Sequence, residues 1–299
     1  MPRIALKVDV DTLRGTLEGV PALLRQLARH ELRATFLFSL GPDHTGRALK
    51  RIFRPGFLAK VRRTSVGSNY GLKTLLYGTL LPGPDIGRRA AEPMRACWRA
   101  GHEVGVHTWD HVLWQDHVAR RDREWTRRQL QLAVERFGEV FGRAPEVHGA
   151  AGWQMNPQAY ELEQELGFSL ASDCRGDAPF LPRIGERVLE VPQLPTTLPT
   201  LDELIGVDGI SADNVAEHLL KLSLDGRDHV YTLHAELEGG QLAPAFESLL
   251  QGWMAAGLRI GTLGGYAATL DTRALPVREV GMGSVPGRSG LLAVPLPAA

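Results

Sequence analysis

The chain is poor in cysteine. Cys97 and Cys174 are the only two in 299 residues, too few for a disulfide framework or a thiolate zinc site, and they point to a reducing compartment. It also lacks net charge, with 34 basic and 34 acidic residues, so the molecule as a whole exerts no pull on nucleic acid. No run approaches the ~20 apolar residues that a membrane-spanning helix requires. The opening residues, Met1 to Asp11, turn almost at once into a charged strand pattern and are not expected to direct export. Disorder is excluded by 43% hydrophobic and 23% charged residues, the balance of a folded protein. The length suits a single alternating α/β barrel domain.

What is present is a rhythm of apolar runs and helical periodicity. Strands are predicted at 4–10, 34–40, 103–106, 146–150, 168–171, 188–191, 230–233 and 258–261. Helices are predicted at 18–30, 88–99, 122–141, 157–166, 213–222 and 244–256. Such alternation implies an α/β fold with a parallel sheet covered by helices, here a distorted (β/α) barrel spanning 1–272. The Gly- and Pro-rich segment 273–299 is expected to be irregular.

One stretch breaks the rhythm. Between His44 and Pro84 lie Arg47, Lys50, Arg51, Arg54, Lys60, Arg62, Arg63 and Lys73 without one Asp or Glu, interleaved with residues such as Ile52, Phe53, Phe57, Leu58 and Tyr70. A solvated basic loop is the plain reading, and nucleic acid is disfavoured because no recognised motif accompanies the charge. Apolar groups mixed with cations suit an interfacial segment meeting anionic lipid. The insertion is therefore expected to dock on an anionic membrane surface, with Arg47, Lys50, Arg51 and Arg54 at lipid phosphates.

In a parallel barrel the site lies at the carboxyl ends of the strands. The first strand ends in Asp9-Val10-Asp11-Thr12, and its period of two turns both carboxylates to one side, although aspartates here could equally cap the next turn. The third strand leads into His107-Thr108-Trp109-Asp110-His111, whose histidines would share a face over one helical turn. They are either surface residues or, with Asp11, a two-histidine, one-carboxylate site with open positions for water and substrate. His234 closes another strand, as a core histidine or a catalytic one. Asp173 and Arg175 follow a further strand, as an ion pair or as groups that orient a catalytic histidine or carboxylate.

Taken in order, the motifs L-K-V-D-V-D-T (6–12), R-G-T-L-E-G-V-P (14–21), V-G-V-H-T-W-D-H (104–111), A-A-G-W (150–153), S-D-C-R-G (172–176) and Y-T-L-H-A-E (231–236) resemble the polysaccharide deacetylase family, also called NodB-homology or carbohydrate esterase family four. With the insertion, the resemblance spans nearly the whole chain. It implies a hydrolase with Asp9 as base, Asp11, His107 and His111 as ligands of a divalent ion, and His234 as acid. The implied ion is zinc foremost, with manganese, cobalt, nickel and iron as alternatives. D-x-D stands where the family commonly has D-D, so the two aspartate roles could be exchanged. The family's third motif usually carries an arginine that pairs with the base; this chain has Gly149-Ala150-Ala151-Gly152-Trp153, and Arg175 is the candidate substitute.

Within the family the likeness is to members that deformylate undecaprenyl-phosphate-linked 4-deoxy-4-formamido-L-arabinose. Their product serves lipid A modification and polymyxin resistance, which implies a peripheral location on the cytoplasmic face of the inner membrane. An N-deacetylase of another sugar or polysaccharide is the nearest alternative. A haloacid-dehalogenase-type phosphatase would need a downstream acidic pair that is missing. A lipid-binding scaffold with a structural metal would need a fourth ligand. No nucleic-acid partner is expected, and nothing in the sequence marks an oligomeric state.

Overall fold

The computed structural model describes residues 1–48 and 73–297. Its elements in chain order are β1 (Arg3–Val10), α1 (Val20–Arg29), β2 (Thr35–Ser39), α2 (Ala91–Arg99), β3 (Glu103–Thr108), α3 (His111–His117), α4 (Arg123–Phe141), β4 (Val147–His148), α5 (Pro157–Glu165) and β5 (Leu170–Ala171). They continue with β6 (Leu181–Ile184), β7 (Arg187–Val188), α6 (Val215–Ser223), β8 (His229–His234), α7 (Ala243–Ala255), β9 (Arg259–Gly261), β10 (Val277–Ser284) and β11 (Leu291–Pro295).

The main sheet is parallel, in the order β5-β4-β3-β2-β1-β8, with β9 beside the first residues of β1. Alternation along β1 separates two environments. Ile4, Leu6, Val8 and Val10 enter the large core shared with Phe36, Phe38, Val106, Leu233 and the helices, whereas Lys7 and Asp9 point to the other face, inside the barrel. The gap between the edge strands β5 and β8 is bridged by residues 192–198. The backbone of Leu194 donates to Ala171 O at 2.8 Å, Thr196 to Cys174 O at 3.0 Å and Thr197 to Val230 O at 3.1 Å. This irregular stave takes the place of a regular strand, so the barrel is distorted as expected.

Three local expectations are corrected. The segment 273–299 is not irregular over its described part: β10 and β11 form an antiparallel hairpin, and β10 joins β6 and β7 in a second sheet ordered β11-β10-β6-β7. Its glycines serve the strands, since a side chain on Gly281 or Gly283 would run into Leu296 or Val294 across the pair. The strand predicted at 188–191 is only β7, in this second sheet. Finally, the chain enters α1 through a π-helical turn, Gly15–Gly19, rather than at residue 18. Gly19 lies so close to the Ala235 carbonyl that no side chain fits there. In the insertion, Lys50, Arg51 and Arg54 lie outside the described residues.

Candidate metal centre

β1 delivers Asp11 just past its carboxyl end and β3, the next strand but one in the sheet, delivers His107, so the two meet at the barrel mouth across the end of β2. His111 arrives differently from the expected shared helical face. His107 is the fifth residue of β3, and His111 is the first of α3. The turn between them is set by Asp110, whose Oδ1 accepts from Leu113 N at 3.1 Å and caps the helix. The spacing of four therefore reports a strand-to-helix corner, and the two rings end 5.3 Å apart, centroid to centroid.

Asp11 Oδ1 lies 3.3 Å from His107 Nε2 and 3.4 Å from His111 Nε2. It is buried and has no hydrogen-bond partner among the described residues. Ligand bonds of ~2.0–2.2 Å at tetrahedral angles separate donor atoms by ~3.3–3.6 Å, so both separations from Asp11 have the edge length of a coordination site, and one ligand atom from each of the three residues lies within 4.8 Å of the others. His107 Nδ1 meets Gly149 O at 2.6 Å, which fixes the tautomer that leaves Nε2 as the donor. Burial alone would raise the Asp11 carboxyl, but the charges of His111 and His107 outweigh it and hold the group far below the usual carboxylate range. The residues present thus fit a divalent ion.

A second cluster of ligand-type residues, His148, Glu163 and Asp173, differs in the decisive respect. Its separations, 2.6 Å from His148 Nδ1 to Glu163 Oε1 and 2.8 Å to Asp173 Oδ1, are hydrogen-bond lengths with a proton between the atoms. All three side chains are buried. Burial would lower the His148 pKa, yet the two carboxylates push it up to about 10.

Asp9 sits two residues before Asp11 on the same face of β1. Its Oδ2 is 3.4 Å from Lys7 Nζ, while Oδ1 is buried without a hydrogen-bond partner among the described residues, 3.8 Å from His107 Nδ1. His234 lies opposite Asp9 in the β1/β8 register, and its Nδ1 is likewise buried and unpartnered among the described residues. Asp173 accepts from Ala150 N at 2.8 Å and from Gln193 Nε2 at 2.7 Å, which steadies the loop whose Gly149 carbonyl holds His107. Arg175 does not fill the place of a partner to Asp9. Its guanidinium is engaged by Glu203 Oε1 at 2.6 Å and Leu198 O at 3.1 Å, and lies 5.0 Å from the Trp153 ring centre.

Sequence reasoning missed four contributors, Lys7, Glu236, Asp43 and His44. Lys7 could have been found from its spacing, because Lys7, Asp9 and Asp11 are separated by two and share one strand face. Glu236 Oε1 accepts from Asp11 N at 3.1 Å, Thr12 N at 2.9 Å and Thr12 Oγ1 at 2.8 Å, pinning the turn that carries the ligand; burial and the Asp11 charge raise its own pKa. Asp43 and His44, at the root of the insertion, reach Leu13 N at 2.9 Å and Asp110 Oδ2 at 2.6 Å, so they tie it to both ligand-bearing loops. Arg47, the one described member of the expected lipid-contact set, donates from Nε to Gly78 O at 3.0 Å.

The polysaccharide deacetylase family model matches residues 2–171. A Shewanella sediminis (strain HAW-EB3) protein named "Probable 4-deoxy-4-formamido-L-arabinose-phosphoundecaprenol deformylase ArnD" is 40% identical over 248 residues, covering 83% of this chain and 80% of that protein. A protein of the same name from Wigglesworthia glossinidia brevipalpis is 30% identical, covering 93% and 97%. In fold, the chain superposes on a Mycobacterium smegmatis protein assigned as a polysaccharide deacetylase with a TM-score of 0.65 at 20% identity, covering 95% and 94%. A family 4 carbohydrate esterase from Streptomyces lividans, in complex with acetate, gives 0.51 at 12% identity, covering 88% and 93%.

Proposed function

The chain belongs to the polysaccharide deacetylase family, and from that premise we propose that it hydrolyses the formamide of undecaprenyl-phosphate-linked 4-deoxy-4-formamido-L-arabinose, releasing formate and the 4-amino sugar. The substrate reading rests on the two relatives named for that reaction. The chemistry rests on one observation: Asp11 stands at coordination-edge distance from two histidine nitrogens, beside an aspartate with one oxygen unengaged among the described residues.

In this reading Asp11, His107 and His111 hold a divalent ion, and two imidazoles with one carboxylate are a donor set that suits zinc. A divalent ion, when bound, supplies Lewis acidity and brings the pKa of water from ~15.7 toward ~7. Asp9 Oδ1 takes the proton from the attacking water. His234, across the β1/β8 register, gives a proton to the departing sugar nitrogen, which leaves poorly as an anion. Asp173 acts behind them by holding Ala150 N, and Arg175 by holding Glu203.

Residues 1–272 are read as the catalytic domain, and 44–84 as the part that meets the anionic cytoplasmic face of the inner membrane and a polyprenyl-phosphate embedded in it. Among the described residues no helix is long and apolar enough to cross a membrane. Within the insertion Leu76, Leu80 and Leu81 are exposed, Leu80 by 82%, which suits an interfacial contact.

The test is formate release by purified, metal-loaded protein from the lipid-linked formamido sugar, run beside the acetamido analogue. Acetate release with no formate would transfer the reading to an N-deacetylase, and phosphate release to a phosphatase. Asp9→Asn and His234→Ala should keep metal and fold while kcat drops by ~10²–10⁴. Loss of metal in Asp9→Asn with retention in Asp11→Asn would exchange the two aspartate roles.

A further inference from the structure

Lys7 is fully buried, in the middle of β1, where an ammonium is costly unless its charge is answered. Its Nζ donates to Ser172 O at 2.9 Å and lies 3.4 Å from Asp9 Oδ2, with the Trp153 ring centre 5.4 Å away. The surroundings are shaped for it. A side chain on Gly149 would come within 3.0 Å of Lys7 Cε, so the glycine leaves the passage that the lysine stem uses. Trp153 is held with a positive φ of 52° directly after Gly152 at 60°, a backbone that a large residue adopts only under constraint.

The two oxygens of Asp9 are consequently unlike. Oδ2 faces the ammonium, whereas Oδ1, on the side of His107, is buried and unpartnered among the described residues. We propose that Lys7 is a positioning residue for the hydrolysis: by holding Oδ2 it fixes the rotation of the Asp9 carboxylate and keeps Oδ1 turned to the reacting water. This rests on the reading of Asp9 as base. It assigns to β1 itself, two residues upstream, a partner that Arg175 does not supply.

The experiment is a set of variants, Lys7→Met, Lys7→Gln, Lys7→Arg, Asp9→Asn and Asp9→Asn/Lys7→Met, each measured for bound metal, thermal unfolding and steady-state formate release. Lys7→Met or, if it does not fold, Lys7→Gln should keep stoichiometric metal and a KM close to that of the parent while kcat falls by ~10²-fold, the lower range of a general-base contribution. Lys7→Arg should recover most of that loss. Because Lys7 acts only through Asp9, the double variant should be no slower than Asp9→Asn alone. An unchanged kcat in both Lys7→Met and Lys7→Gln, or multiplied losses in the double variant, would overturn the positioning role while leaving Asp9 as base. Full activity in Asp9→Asn would instead remove the reading beneath it.

Discussion

Replacing His148 with glutamine takes the imidazolium out from between two buried carboxylates. Glu163 and Asp173 reach it at 2.6 and 2.8 Å, and Trp114 and Phe168 pack around its ring, so no water takes over its charge. Breaking a buried ion pair from one side costs ~3–5 kcal/mol. The pKa argues for a similar size: a rise from the usual 6.5 to about 10 is worth about 5 kcal/mol at ~1.36 kcal/mol per unit, taken as an upper limit because Glu163 and Asp173 share the proton. Since the folded-state value lies above the unfolded one, this stability is whole below pH ~6.5 and is lost as pH rises through about 10. Glu163, whose pKa is raised by burial and by Asp173, loses stability with rising pH in the same sense. Denaturant unfolding of parent and His148→Gln should therefore differ by several kcal/mol at pH 6.5, with the gap closing toward pH 10. Two curves that run parallel across this window would refute the assignment of a charged His148.

Alanine at Asp11, His107 or His111 should each reduce bound metal sharply in elemental analysis after dialysis, and stoichiometric metal in the His107→Ala/His111→Ala protein would dismiss the site. Gly15→Ala places a methyl group on Glu236 Oε1, so it should lower the melting temperature, and a melting temperature equal to that of the parent would show that the π-turn has room to shift. Liposome co-sedimentation should show binding that requires anionic lipid, weakens with salt and falls when Arg47, Lys50, Arg51 and Arg54 become Gln; an unchanged variant would end the docking role.

The parts of the fold legible in the sequence were those with one face in the core and one function per residue. β8 was evident as a short apolar run and β1 as a buried strand, whose period of two delivered Asp9 and Asp11 to one side. α4 was legible from its Asp122 cap and the terminal Gly142, which takes a φ of 70°. The stave at 192–198 was not, since it pairs on both sides without a strand's periodicity. The β10–β11 hairpin was hidden because its glycines, placed for cross-strand packing at 281 and 283 and for positive φ at 287 and 290, look like loop signals. At the candidate site, the residue types and their order along the chain were readable. The corner between His107 and His111, and the Lys7 contact with Asp9, depend on which strand end faces which, and only the folded chain settles that.

The placement of β8 against β1 also bears on how each molecule comes into being. Asp11, His107 and His111 lie within the first 111 residues, after β1, near the end of β3 and at the start of α3, whereas Glu236 grips the Asp11 backbone from 225 positions further on, and His234 closes β8. Synthesis delivers the N-terminal strands first, and long-range parallel pairing is slow to form. A nascent chain halted before β8 would already contain the three candidate ligands, yet lack the proposed acid His234 and the Glu236 that holds the Asp11 turn. The candidate site is thereby completed late: the Asp11 turn gains its Glu236 clamp, and Asp9 its neighbour His234, only when the distant strand docks.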